Sequence, residues 1–243
     1  MALASIARKT HWVGVALLFI SSILLLITTI SAPIINDVGL LRVTLKNETQ
    51  IRHSSVSFGT FGYCILDVPP VRTQQDYCTK RHIGYNPADI MAVVDHTSFS
   101  EIAAGTSDSL TRVMVLHPIA CGLAFIAFLL SLGSGNIGSL AGALVALIAW
   151  LLTLISLAVD FSVFGIVRHH VNADKSGSHA KFGTGIWLLL ASFVTLFFGV
   201  IIVLFTCASA RREKKRAAAA PKNEGYLAAD GPVAPRRKRF GIF

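Results

Sequence analysis

The chain has 243 residues, 53% of them hydrophobic and only 14% charged, with a formal net charge of +9. Soluble domains carry about 25% charged residues, so this composition excludes an ordinary soluble enzyme or nucleic-acid-binding domain and indicates an integral membrane protein. Four cysteines are too few for a disulfide scaffold.

Residues 1–11 form a short N-terminus, cytosolic by the charge argument below, carrying Arg8, Lys9 and His11. Trp12 to Ala32 follows, 21 residues without a charge, ended by Pro33. About 20 apolar residues in a helix span the hydrocarbon core, so 12–32 is the first span. A cleaved signal peptide is the alternative, but its apolar region runs to about 7–15 residues. Residues 33–112 are polar. Within them Leu41 to Lys46 alternates apolar and polar with the period of a half-buried strand, and Val56 to Phe61 continues that pattern. Asn47-Glu48-Thr49 is an N-glycosylation acceptor at an exposed turn, and Pro69-Pro70 marks a loop.

Residues 113–132 form the second span, with His117-Pro118 near its start, where proline costs a helix little. A turn at 133–136 leads to the third span, 137–167, whose one charge is Asp160. A second polar loop, 168–183, precedes the fourth span, 184–207. Residues 208–243 form a basic tail without apolar periodicity, expected to be disordered. Cys121 and Cys207 lie in apolar runs, where small buried thiols are expected.

Charge sets the orientation. The two terminal segments hold twelve basic residues against three acids, which equals the whole formal excess of +9. The polar loops hold ten basic and nine acidic residues. Lysine and arginine accumulate on the cytosolic side, so both termini are expected there. The cluster Arg211, Arg212, Lys214, Lys215 and Arg216 is then expected on the anionic inner leaflet, where each cation contributes about 1 kcal/mol. The long polar loop falls outside, in an oxidising compartment, so Cys64 and Cys78 are expected to pair. Closing that loop contributes on the order of 3 kcal/mol. Metal ligation by these two is the rival, without a second cysteine pair to support it.

With F-G-T-F-G-Y-C at 58–64, C-T-K-R-H-I-G-Y at 78–85, L-H-P at 116–118, Asp160 and the basic cluster after the fourth span, the chain resembles the fungal PalI family. That family is related to the eisosome tetraspanners and remotely to claudins, and the resemblance covers roughly residues 10–216. It marks Phe58, Gly59, Phe61, Gly62, Tyr63, Gly84 and Tyr85 as an ectodomain motif. Phe58 and Phe61 stand where claudins carry tryptophan. The implied fold is a membrane all-α, claudin-like four-helix transmembrane bundle with a small extracellular β-sheet in the first loop. The implied function is a non-enzymatic plasma-membrane helper of a receptor in ambient pH signalling. The alternative is an eisosome-type organiser of membrane domains. The implied partners are other plasma-membrane proteins, a pH-sensing receptor among them, or a second copy of the chain, with no nucleic acid and no cofactor.

Asp160 and His117 are the candidate polar residues within or at the edge of the spans; Asp160 is a functional-site candidate by its position in a span, although its distance from the start of the third helix places it at the outer interface. Its expected partner is a hydroxyl or an ectodomain base such as Arg112. The histidines His53, His82, His96, His117, His169, His170 and His179 lie outside or at the outer boundary. They are expected to be scattered and solvated, though a sensor role is open to them. The spacing of His169, His170 and His179 is loose for a metal site. Gly138, Gly142 and Ala146 recur every four residues, a stripe that lets helices approach closely, within the bundle or between copies. No catalytic motif is present. A transporter or channel subunit would need several polar residues facing one another in the spans, and only Asp160 qualifies.

Overall fold

The computed structural model describes residues 2–35, 37–46, 54–67, 77–133, 136–174 and 176–219. The sequon asparagine Asn47, His53, Pro69-Pro70 and the tail beyond residue 219 lie outside them. Four stretches are long and apolar enough to cross a membrane: Lys9–Thr29, Ala103–Leu132, Gly138–Ala173 and Thr184–Arg212. The protein is therefore a multi-pass membrane protein. Its helix α1 (Ala2–Thr29) packs against α4 (Leu116–Leu132) and α6 (Thr184–Ala219). Helix α5 (Asn136–Ala173) closes the ring between α4 and α6.

Between α1 and α4 the chain builds strands β1 (Leu41–Thr44), β2 (Ser54–Phe58), β3 (Tyr63–Asp67) and β4 (Tyr77–Cys78). Strand β5 (His179–Phe182) comes from the second loop and completes a sheet of order β4-β3-β2-β1-β5, antiparallel at every pairing. Leu41 is opposite Phe58 on one side and Phe182 on the other. The alternation expected for β1 is present: Leu41 and Val43 are buried, Arg42 and Thr44 exposed.

Two short helices stand where the sequence pattern gave no helical period. Helix α2 (Pro87–Val94) starts because the Asn86 side chain accepts from the amides of Ala88 and Asp89, and Pro87 fits the first turn. In α3 (Glu101–Thr111) the Ser100 hydroxyl accepts from the Ala103 amide at 3.3 Å. A 3-10 turn, Arg112–Val115, runs on into α4. Two spans also outlast their apolar runs. Helix α5 continues to Ala173 because its last turns, Val167 and Val171 included, pack under the sheet. Helix α6 runs on through Arg211, Arg212, Lys214, Lys215 and Arg216 to Ala219, so the segment expected to be disordered from residue 208 begins as helix. Its alanines and long-chain bases are strong helix formers.

The buried side chains form two large cores and a small third cluster of Ala32, Cys64 and Leu66 at the disulfide. One large core fills the bundle, with Leu18, Leu25, Ala124, Ala146, Leu189 and Leu196. The other joins the sheet to the upper half of α5 through Leu41, Val56, Phe58, Tyr85, Val163 and Phe164.

Candidate functional site, a buried joint between sheet and spans

Where the two cores meet, His117 on α4 and Asp160 on α5 are both fully buried, with Nε2 3.0 Å from Oδ2. The other ring nitrogen, Nδ1, lies 3.0 Å from the Met114 carbonyl and donates to it. That bond sets the bookkeeping. With Nδ1–H committed to Met114, the 3.0 Å contact needs one proton between Nε2 and Oδ2. Either the imidazolium donates to a carboxylate, or the acid donates to a neutral ring. The second carboxyl oxygen, Oδ1, is buried without a hydrogen-bond partner in the protein.

This pairing corrects two expectations. Arg112 does not serve Asp160; it bonds Asp108 one helical turn back, at 3.1 Å on the surface, where solvation costs neither charge anything. Nor is His117 a solvated histidine, since it is 0% exposed.

The Phe58–Tyr85 motif adjoins the pair through Phe164, one turn beyond Asp160 on α5. Phe58 is fully buried and lies parallel to Tyr85, ring centroids 6.2 Å apart, with Tyr63 and Phe164 at 6.0 and 6.5 Å. The Tyr85 hydroxyl donates to the Gly59 carbonyl at 2.6 Å. Burial pushes that hydroxyl well above its ordinary pKa, and the charge of Asp160 adds to the effect. Gly59 passes so close to the Ala32 backbone that a Cβ has no room. Gly84 has φ +76°, a left-handed conformation that favours glycine and turns the chain after β4 into Tyr85. The backbone of Phe61 accepts from the His82 amide at 3.1 Å, and the Gly62 carbonyl accepts from Gly59. Cys64 and Cys78 face each other across β3 and β4 and form a disulfide.

The remaining candidates lie apart from this joint. Gly142 is buried against the backbone of Ala127 and Ser131 on α4, and Gly138 meets the Leu130 carbonyl. Ala146 is buried beside Ala124 and Ala127, so the small-residue stripe faces inward at the α4–α5 contact. Arg211 and Arg212 are exposed near the end of α6. Cys207 is buried, whereas Cys121 is only half-buried, its thiol 3.6 Å from the Ser22 carbonyl.

Three connections escaped the sequence reading. The first is the His117–Asp160 contact itself. Each is the one titratable nitrogen or oxygen side chain of its apolar run, and that is the signal that could have matched them. The second is Asp95, whose carboxylate accepts from Ser178 (2.6 Å), Thr97 (2.9 Å) and Ser176 (3.2 Å), tying α2 to the second loop. The third is His11, which joins α1 to the Ser131 carbonyl (3.2 Å) and the Thr206 hydroxyl (3.3 Å) at the far end of the bundle. Nothing in the spacing of these residues announces the last two.

Four apolar helices capped by a disulfide-closed antiparallel sheet, with strands from both loops, define a claudin-like four-span membrane protein. The SUR7/PalI family matches residues 10–199, and the chain belongs to that family. It is 31% identical over 115 residues to the pH-response regulator protein palI/RIM9 of Emericella nidulans, covering 47% of this chain and 18% of that one. It is 29% identical over 116 residues to palI/prr-5 of Neurospora crassa, covering 48% and 14%. Against the uncharacterized membrane protein TOS7 of Saccharomyces cerevisiae it is 26% identical over 116 residues, covering 48% and 17%. The matched segment thus spans about half of this chain and less than a fifth of each relative.

Proposed function

We propose that the chain is a non-enzymatic helper of ambient pH signalling, supporting a receptor in the plasma membrane through its sheet domain. The observation that carries this reading is its 31% identity with a protein named as a pH-response regulator. The geometry supports it: disulfide, aromatic stack and buried pair hold the sheet in one orientation on the spans, as a recognition surface needs. In this reading the sheet faces outward, Asn47 carries a glycan, and both termini are cytosolic. The Arg211–Arg216 cluster then rests on anionic inner-leaflet lipid. The test is a strain of the source organism lacking the gene, shifted between acidic and alkaline medium while pH-responsive transcripts are followed. Loss of the response, restored by this chain, is expected. A normal response overturns the reading.

A second reading, organisation of membrane domains of the eisosome type or self-assembly with further copies, is supported by the family that this chain shares with SUR7. An intact pH response in the same strain, together with dispersal of surface patches imaged by fluorescence, would establish it in place of the first.

A further inference from the structure

On the sheet-side half of α5, an open notch of about 380 Å³ is lined by Gly165, Arg168, His169, Asn172 and Ala173. Leu151, Ile155, Ala158 and Ser162 are exposed along the same side of the helix, three or four residues apart, in a stretch long and apolar enough to cross a membrane. The notch therefore opens at the upper edge of a lipid-facing surface. Trp187, 56% exposed at the same end of α6, is the type of residue that marks the membrane–water boundary.

The walls are held in place. The Arg168 guanidinium lies 4.9 Å over the Phe182 ring, and that ring meets Phe161 edge-on at 5.4 Å. The Asn172 amide is bonded to both backbone groups of Ala180, at 2.8 and 3.1 Å. Among the described residues no carboxylate pairs with Arg168, whereas Arg112, at the same end of the bundle, is bonded to Asp108. An oriented, unneutralised guanidinium beside an open space at headgroup height has the chemistry of a phosphate site, since its planar fork matches phosphate oxygens two at a time.

We propose that this notch binds the phosphate of an anionic lipid from the leaflet on the sheet side, with a tail along the Leu151–Ser162 face. The proposal stands independently of the signalling role. Gly165 supplies the space, and a Cβ built there meets nothing within 4 Å, so a side chain can start there without a clash.

The test is native mass spectrometry of the full chain in mild detergent, titrated with phosphatidylinositol, phosphatidylcholine or inorganic phosphate. The wild type is expected to retain phosphatidylinositol. Arg168→Gln is expected to weaken this about fivefold, the effect of one basic residue at a membrane surface. Gly165→Leu, which keeps the charge, is expected to weaken it as much with a melting temperature no lower than wild type. Arg211→Gln, at the opposite end, is expected to change it less than about twofold. Wild-type retention in both Arg168→Gln and Gly165→Leu overturns the proposal. So does phosphatidylcholine held as tightly, or displacement of the lipid by inorganic phosphate.

Discussion

Asp160 and His117 each solve the other's burial problem. A carboxyl group or an imidazole alone in an apolar bundle leaves polar atoms unpaired, at about 1–3 kcal/mol each. Together, with Met114 taking Nδ1–H, they leave only Oδ1 without a partner. Asp160→Asn is therefore expected to be mild, because an asparagine amide can donate to the neutral ring or accept from the charged one. Asp160→Leu strands Nε2 and should cost about 1–3 kcal/mol, read as a lowered melting temperature. Equal melting of the two variants would show that the hydrogen bond carries no weight. Tyr85 makes a prediction of definite sign. Its hydroxyl, ordinarily at 10.0, is held well above that value in the folded protein. Above pH of about 10 the unfolded chain loses this proton while the folded one keeps it, so stability is constant below that pH and falls as pH rises through it. Tyr85→Phe should flatten this alkaline decline and remove about 1 kcal/mol at neutral pH with the bond to Gly59. An unaltered alkaline limb in that variant would contradict the assignment. The sequence identified both members of the buried pair but not their union. Depth along one helix, counted from its start, says nothing about which polar atom the neighbouring helix presents at that height.

At the scale of elements, the sheet is held by features of unequal legibility. The alternation in β1 and the paired cysteines are local signals, and both are visible in the residues. Replacing both cysteines by serine removes the Cys64–Cys78 link, 14 residues apart, and should cost about 3 kcal/mol in urea unfolding of the sheet domain. A loss under about 1 kcal/mol would mean that the aromatic stack alone fixes β3 and β4. Strand β4, only two residues long, has too little sequence for a period, and β5 sits in a short polar loop; both exist because β3 and β1 offer them an edge. Helices α2 and α3 were hidden for a different reason: they are only 8 and 11 residues long and start at polar caps, Asn86 and Ser100, inside a polar loop, although Met91 and Leu110 join the core. The small-residue stripe was legible, but its direction was not, since close approach serves a neighbouring helix or a neighbouring copy equally well. Gly142 against Ala127 and Ser131 places it inward. Gly142→Leu should splay α4 from α5 and lower the yield of folded protein on size-exclusion chromatography. A wild-type elution profile would contradict that packing.

At the scale of the molecule, the spans follow from apolar runs of membrane length, and the claudin-like class from the resemblance carried by F-G-T-F-G-Y-C at 58–64 and C-T-K-R-H-I-G-Y at 78–85. What composition could not convey is that the protein has two large cores and that a polar pair lies where they meet. Phe164, one turn beyond Asp160 on α5, packs against Phe58, which stacks on Tyr85, so the orientation of the sheet is expected to depend on a contact inside the bundle. The most direct test is amide hydrogen exchange in the full chain, comparing wild type, Asp160→Asn and Asp160→Leu. Exchange in β1 (Leu41–Thr44) and β2 (Ser54–Phe58) is expected to speed up about tenfold or more in Asp160→Leu, the effect of roughly 1.4 kcal/mol, with Asp160→Asn close to wild type and the middle of α6 protected in all three. Wild-type protection of both strands in Asp160→Leu would contradict the claim that the buried pair holds the sheet on the spans.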